Sequence, residues 1–165
     1  MSEPLSETLV VMQYQKNDPV PDESIPVLTE LHENIMVPVM KKFGTILITS
    51  GHRSVEANEL AHGQENSEHI YTDTHCADDF LSPNIPARTI FDWMRLNPSL
   101  PFHQLILEHS ANGPTVIHVS LNKLMPGVRS VKEGATHNAS RYTNVDHVAY
   151  DPSNNHEAVQ DVATG

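Results

Sequence analysis

Three short stretches of the sequence carry side chains that are common metal ligands: 67–69 (SEH), 77–80 (ADDF) and 117–120 (IHVS). His69 and His118 supply imidazole nitrogens, and the middle stretch supplies carboxylate oxygens. A donor set of nitrogen and oxygen, with one tetrahedral position left open for water, is typical of catalytic zinc sites. The sequence therefore predicts a zinc site, provided that the fold brings the three stretches together.

A predicted β-hairpin, with strands at 104–108 and 115–121, places a carboxylate beside one of these ligands. Side chains alternate between the two faces of a strand, so His118 shares the polar face of the second strand with Ser120. Pairing of the two strands brings Glu108 near His118. A carboxylate next to a metal-bound water is the usual general base in hydrolysis.

Each of these residues taken alone has a simpler interpretation. A single histidine in a strand is more often a hydrogen-bonded structural residue than a ligand. The pair Asp78 and Asp79 could be a solvated loop pair or a helix cap, Glu108 a surface acid, and Arg53 a surface cation. Only their joint order and spacing favour a site.

Composition limits the class of protein and its partners. A chain of 165 residues predicts one domain, and a net charge of −11, from 21 acidic and 10 basic residues, gives little support for binding nucleic acid. No apolar run approaches the ~20 residues that span a bilayer, and the first residues lack the pattern of a signal peptide. The single cysteine, Cys76, excludes a disulfide framework and favours synthesis in a reducing cytoplasm.

The elements that would position these side chains follow from apolar spacing and turn signals. Ser24 would cap a helix with apolar residues at helical spacing from Ile25 to Phe43, kinked or split at Pro38 and stopped at Gly44. The other predicted elements are strands at 8–14 and 45–49, a helix from Ser54 to about Ala61, an irregular loop at 62–74 and a helix after Pro86 to about Leu96.

Together these elements predict an α+β fold with a small, largely antiparallel sheet and helices packed on one side. Residues 1–24 are expected to form an N-terminal strand and loop, and residues 25–124 the main domain. Residues 125–165 are rich in Asn, Ser, His and acids and show no periodicity, so they predict an irregular, extended polar C-terminal tail.

From about Ile25 to Asn122 the chain resembles the hedgehog-like zinc peptidases, which include D-alanyl-D-alanine carboxypeptidases and the peptidoglycan-cleaving endolysins of bacteriophages. The family patterns are TSGYRS, SxH, AxD, LPFDQLI and HVS. The matching segments, in the same order, are 48–54 (ITSGHRS), 67–69 (SEH), 77–80 (ADDF), 100–106 (LPFHQLI) and 118–120 (HVS).

The resemblance implies a hedgehog/DD-peptidase-like fold in which zinc is held by His69, Asp79 and His118. It further implies that Glu108 is the catalytic acid or base and that Arg53 pairs with a carboxylate of the substrate. The implied reaction is hydrolysis of an amide bond in a peptidoglycan stem peptide. Both D-Ala-D-Ala carboxypeptidase and L-Ala-D-Glu endopeptidase activities are compatible with this ligand set.

The chain departs from the family pattern around the proposed ligands. Nine residues separate His69 from Asp79, where the family usually has six, and His75 stands where a glycine is usual. Asp78 or His75 could therefore replace Asp79 as a ligand. The interval between Glu108 and the last ligand is also longer than usual.

Two main hypotheses follow. The first is an endolysin-like zinc peptidase, made in the cytoplasm without a signal peptide and acting on the cell wall after phage-driven release. The second is a phage virion structural or attachment protein that retains the peptidase fold with weak or no catalysis and assembles with other virion subunits through the C-terminal tail. A metal-binding module without hydrolysis is a third class. Neither nucleic acid nor membrane is an expected partner.

Overall fold

The computed structural model describes residues 19–61, 63–136 and 141–154 and shows an α+β protein with one mixed, six-stranded sheet. The strands are β1 (Leu47–Ser50), β2 (His75–Leu81), β3 (Gln104–His109), β4 (Val116–Asn122), β5 (Ser130–Ala135) and β6 (Thr143–Asn144). Their order is β1-β2-β4-β3-β5-β6, and neighbours are antiparallel except β3 and β5, which run parallel. The predicted strand at 8–14 lies outside the described residues.

Four α-helices are present in the described part of the chain. They are α1 (Ile25–Leu31), α2 (Val37–Phe43), α3 (Val55–Leu60) and α4 (Ala87–Arg95). None of the four is long and apolar enough to cross a membrane. The starts of α3 and α4 match the predicted signals, because Ser54 Oγ accepts the Ala57 N–H at 3.1 Å and Pro86 directly precedes α4.

The predicted interruption near Pro38 takes the form of a wide helical turn. Helical residues continue from α1 to α2 through His32–Met36, where the Val37 N–H donates to the His32 carbonyl five residues back. Proline has no N–H to donate, and its ring would collide with the carbonyl four residues earlier in a regular helix. The wider turn relieves that collision without ending the helix. Gly44, with a φ of 86°, ends α2 as predicted.

Alternation of side chains along the strands gives the sheet an apolar face and a polar face. Residues of β2, β3 and β4 on the apolar face pack against α1, the wide turn and α4 in one core. This core includes Phe80, Leu105, Leu107, Ile117 and Val119 from the sheet and Leu28, Leu31, Ile35, Ile90 and Met94 from the helices. The opposite, polar face of the same strands carries Asp79, Glu108 and His118.

The predicted hairpin is confirmed, because β3 and β4 pair antiparallel with Ile106 opposite His118. The structure also contains β2, for which the sequence predicts no strand. Two buried aspartates, Asp78 and Asp79, occupy its centre and remove the apolar pattern by which strands are recognised.

The prediction of an irregular tail over 125–165 is wrong for residues 130–135 and 143–144, which form β5 and β6. β5 pairs parallel with β3, so its position depends on a contact with a strand more than twenty residues earlier. Only Val131 of β5 joins the apolar core. One core residue in a six-residue strand leaves no periodicity to detect.

We expect Leu28→Ala to lower the free energy of unfolding by about 2–5 kcal/mol, because Leu28 is fully buried and its loss leaves a cavity. Leu60→Ala is the matched control, since Leu60 is 83% exposed and should change stability by less than about 0.5 kcal/mol. Urea unfolding of both variants measures the difference. Equal stabilities would contradict the packing of α1 against the sheet.

Candidate metal centre

Three sequence segments meet on the polar face of the sheet. Asp79 lies on β2 and His118 on β4, and the two residues are direct partners in the antiparallel register. His69 lies in the irregular segment before β2, which is held against the segment that follows β1 by a hydrogen bond from the Arg53 N–H to the His69 carbonyl (2.8 Å). The predicted ligands are therefore brought together, although β2 itself is not predicted.

The ligand atoms of these three residues lie close to one another. His69 Nε2 is 3.0 Å from Asp79 Oδ1 and 3.1 Å from His118 Nδ1, and His118 Nδ1 is 3.0 Å from the same Asp79 oxygen. All three residues are buried. Among the described residues, this is the group of His, Cys, Asp and Glu side chains whose donor atoms converge closely enough to hold a metal ion.

The second ring nitrogen of each histidine makes a hydrogen bond outside the cluster, and this bond fixes the tautomer of the ring. His69 Nδ1 is 2.8 Å from the Gly51 carbonyl, which can only accept, so Nδ1 carries the proton. His118 Nε2 donates to Gln104 Oε1 at 3.1 Å. In neutral imidazoles, His69 Nε2 and His118 Nδ1 are then unprotonated and point their lone pairs towards each other. Hydrogen bonds of this kind commonly orient the histidine ligands of metal sites.

Three acceptor atoms at about 3 Å repel one another unless a cation lies among them. The cation is either a proton on one imidazole or a metal ion bound to all three residues. Two imidazole nitrogens and one carboxylate oxygen match the donors that zinc accepts. The residues present therefore fit a zinc ion, and they leave room in the coordination sphere for a non-protein ligand.

Electrostatics show how a proton can occupy this position. Burial raises the pKa of Asp79, but the charge and hydrogen bonds of His69 and His118 outweigh burial and hold it well below its ordinary range. Burial lowers the pKa of His118, but the hydrogen bond and charge of Asp79 outweigh it, so the pKa of His118 is raised. A metal ion must displace this proton to bind.

The alternative ligands are directed elsewhere. Asp78 lies on the apolar face of β2, where Oδ2 is 2.9 Å from His32 Nε2 and Oδ1 accepts the Tyr71 hydroxyl at 3.1 Å. His75 Nε2 lies 2.9 Å from the Ile70 carbonyl within the loop before β2. Neither residue reaches the cluster. The longer segment between His69 and Asp79 is therefore accommodated without displacing the ligands.

The cluster lies at the wall of a pocket with a volume of about 290 Å³, which the predicted base and substrate cation also line. Arg53 Nη2 is 3.6 Å from Asp79 Oδ2 and donates to Ser50 Oγ at 3.1 Å. Glu108 accepts a hydrogen bond from the Tyr142 hydroxyl at 2.8 Å. Every residue named in the predicted site thus faces one pocket.

A buried cluster beside the pocket holds the loop that carries His69. The Glu68 carboxylate is 2.9 Å from His103 Nδ1 and accepts the Ser120 hydroxyl at 2.9 Å. Burial raises the pKa of Glu68, but these hydrogen bonds and the charge of His103 outweigh burial and lower it. Ser120 Oγ also accepts the Gln104 N–H at 3.0 Å, so the cluster ties the loop to β3 and β4.

Several residues of the pocket were missed from the sequence, among them Gln104, Lys132 and Tyr142. Gln104 had a detectable signal, because alternation places it on the face of β3 that also carries Glu108. Lys132 and Tyr142 had none, since both lie in the segment without periodicity. The Lys132 side chain has no hydrogen-bond or ion-pair partner among the described residues.

Comparison with known proteins finds no matching family model, no matching curated protein and no matching solved structure. The class that the fold and the site define is an α+β protein with a candidate metal centre of two histidines and one aspartate. The resemblance to the hedgehog-like zinc peptidases rests on the sequence motifs.

Wild-type protein without an affinity tag should bind about one zinc ion per chain, and both His69→Ala and His118→Ala should abolish that binding. The chain has eleven histidines, so His147→Ala, which removes an exposed imidazole, is the control and should retain zinc. Elemental analysis after gel filtration measures the metal. Equal zinc in all four proteins would show that the cluster is not the binding site.

Zinc should raise the melting temperature more at pH 8 than at pH 6. The pKa of His118 is raised, so at lower pH protons compete with zinc for its ring nitrogen. Without metal, the melting temperature should instead fall as pH rises from 6 to 8. The raised pKa of His118 contributes stability that is lost as pH rises through it, whereas the lowered pKa of Asp79 contributes stability that is lost only in strong acid. Thermal melts with and without zinc measure both pH dependences. If zinc raised the melting temperature equally at the two pH values, a proton competing with zinc at His118 would be contradicted.

Proposed function

We propose that the protein is a zinc-dependent hydrolase that cleaves an amide bond in peptidoglycan stem peptides. The observation that carries the proposal is the convergence of three lone pairs, from His69, Asp79 and His118, at the wall of a pocket that also contains a carboxylate. Buried acceptors at 3.0–3.1 Å suit a bound cation, and the adjoining pocket gives a substrate access to it.

The residues divide the chemistry among themselves. His69, Asp79 and His118 would hold zinc, which when bound polarises a carbonyl and lowers the pKa of a water. Glu108 accepts the proton from the attacking water and returns it to the leaving amine. Gln104 and the Gly51 carbonyl keep the two imidazoles in the tautomers that face the ion.

Two positively charged side chains line the pocket and favour a substrate with negative charge. Arg53 lies on the Asp79 side of the centre, and its planar guanidinium suits a carboxylate. Lys132 lies on the opposite side, because β3 separates β5 from β4 and Ile106 pairs with both His118 and Lys132. Stem peptides carry free carboxylates, and the sequence motifs resemble those of enzymes that cleave them. A hedgehog-like fold is part of the same proposal.

The decisive experiment compares zinc-loaded wild-type protein with Glu108→Gln on synthetic stem peptides. Loss of the general base should lower kcat by about 10²–10⁴-fold, while zinc content stays unchanged because Glu108 is not a ligand. Product analysis by mass spectrometry identifies the bond cleaved. Equal activity of the variant would contradict the role of Glu108.

A zinc-loaded wild-type protein that cleaves no stem peptide would contradict the proposed enzyme. That result would favour the alternative of a virion component with this fold and no catalysis. If the inactive wild-type protein retained zinc, the metal centre would still be supported and only the hydrolytic function would be contradicted.

Lys132→Met should raise KM about tenfold for a peptide with a free carboxylate, because a favourable charge interaction of about 1.4 kcal/mol is lost. The effect should disappear when that carboxylate is amidated. Lys123→Met is the matched control, since Lys123 lies outside the pocket and pairs with Glu30 at 3.6 Å. Equal KM changes for the free and amidated peptides would contradict an electrostatic role of Lys132.

A further inference from the structure

Tyr142 occupies a position that a glycine makes available. A Cβ atom placed on Gly134 would lie 2.2 Å from Tyr142 Cδ1 and 3.0 Å from Tyr142 Cα, far inside contact distance. The absence of a side chain at Gly134 therefore lets the tyrosine ring lie directly against β5. Any larger residue at this position would push the ring away.

The same glycine is the register partner of Glu108. β3 and β5 run parallel, with Glu108 opposite Gly134. A ring that lies against Gly134 therefore lies beside Glu108, and the Tyr142 hydroxyl donates to Glu108 Oε2 at 2.8 Å. The contact joins a residue near β6 to the carboxylate at the end of β3, and both side chains line the pocket of the metal centre.

We propose that Tyr142 is a positioning residue that holds the Glu108 carboxylate in the orientation needed for proton transfer at the metal centre, and that Gly134 makes this contact sterically possible. The inference rests on the proposed hydrolytic function, which it deepens. A glutamate has three side-chain torsions, so an unrestrained carboxylate would spend much of its time away from the reacting water. A fixed position matters because proton transfer needs hydrogen-bond contact between the groups.

The chemistry of the contact fits positioning rather than proton exchange. Burial raises the pKa of Tyr142, and the negative charge and hydrogen bond of Glu108 raise it further. The phenol therefore stays protonated and donates its hydrogen bond throughout the working range of pH. The Tyr142 hydroxyl donates to Oε2 of Glu108, which leaves Oε1 free to accept a proton from water.

The first test uses metal-free protein and measures no activity. The carboxyl ¹³C signal of labelled Glu108 should shift in Tyr142→Phe, because one donated hydrogen bond is lost while the ring is kept. Gly134→Ala should produce a similar shift, since its Cβ displaces the ring. Tyr150→Phe is the matched control, because Tyr150 lies outside the pocket and should leave the signal unchanged. An unchanged Glu108 signal in Tyr142→Phe would overturn the inference.

The second test uses zinc-loaded protein and a stem peptide. Tyr142→Phe should lower kcat about ten- to a hundredfold, as expected when a hydrogen bond to a charged group is lost, with KM and zinc content unchanged. Unchanged kcat, or a change confined to KM, would overturn a positioning role. If wild-type protein is inactive, the proposed function fails and the positioning role fails with it, whereas the carbon signal still decides whether Tyr142 holds Glu108.

Discussion

The register between β2 and β4 is the constraint on which the candidate site depends. It places Asp79 directly opposite His118 on the polar face. A slip of one residue would exchange Asp79 for Asp78 and turn the ligand oxygen into the core, because successive residues of a strand face opposite sides. The apolar partners on the other face, among them Phe80 opposite Ile117, oppose such a slip because it would expose them to water.

Gathering three acceptors in a buried position is unfavourable, and the surrounding structure must maintain it. The large apolar core beneath the sheet supplies free energy of folding. Hydrogen bonds that His69 and His118 donate to the Gly51 carbonyl and to Gln104 Oε1 orient the two imidazoles, and the Glu68 cluster holds the loop that carries His69. These contacts restrain the side chains of the candidate centre in the orientation that an ion would need. Restraint of this kind reduces the rearrangement that binding of an ion would require.

The parts of this structure that depend on local sequence were the predictable ones. The helix with its interruption before Pro38, the cap at Ser54 and the β3–β4 hairpin all follow from spacing and turn residues within a few positions. The candidate ligands, Asp79 among them, were found from motif order, but sequence alone left Asp78 and His75 open as substitutes for Asp79. The register of β2 decides between them, and register depends on packing across the sheet.

The parts that depend on distant pairing could not be predicted. β2 carries buried acids whose partners, such as His32, are far away in the sequence, so its composition resembles a loop. β5 is placed by parallel pairing with β3, with β4 in between along the chain. Lys132 and Tyr142 reach the pocket only through that pairing, and no short window of sequence contains it.

The parallel pairing of β5 with β3 means that late segments of the chain complete a pocket whose candidate ligands come earlier. The three candidate ligands lie between residues 69 and 118, whereas the far wall of the pocket, with Lys132 and Tyr142, is translated last. All three residues of the candidate centre are therefore synthesised before the residues that complete the pocket wall.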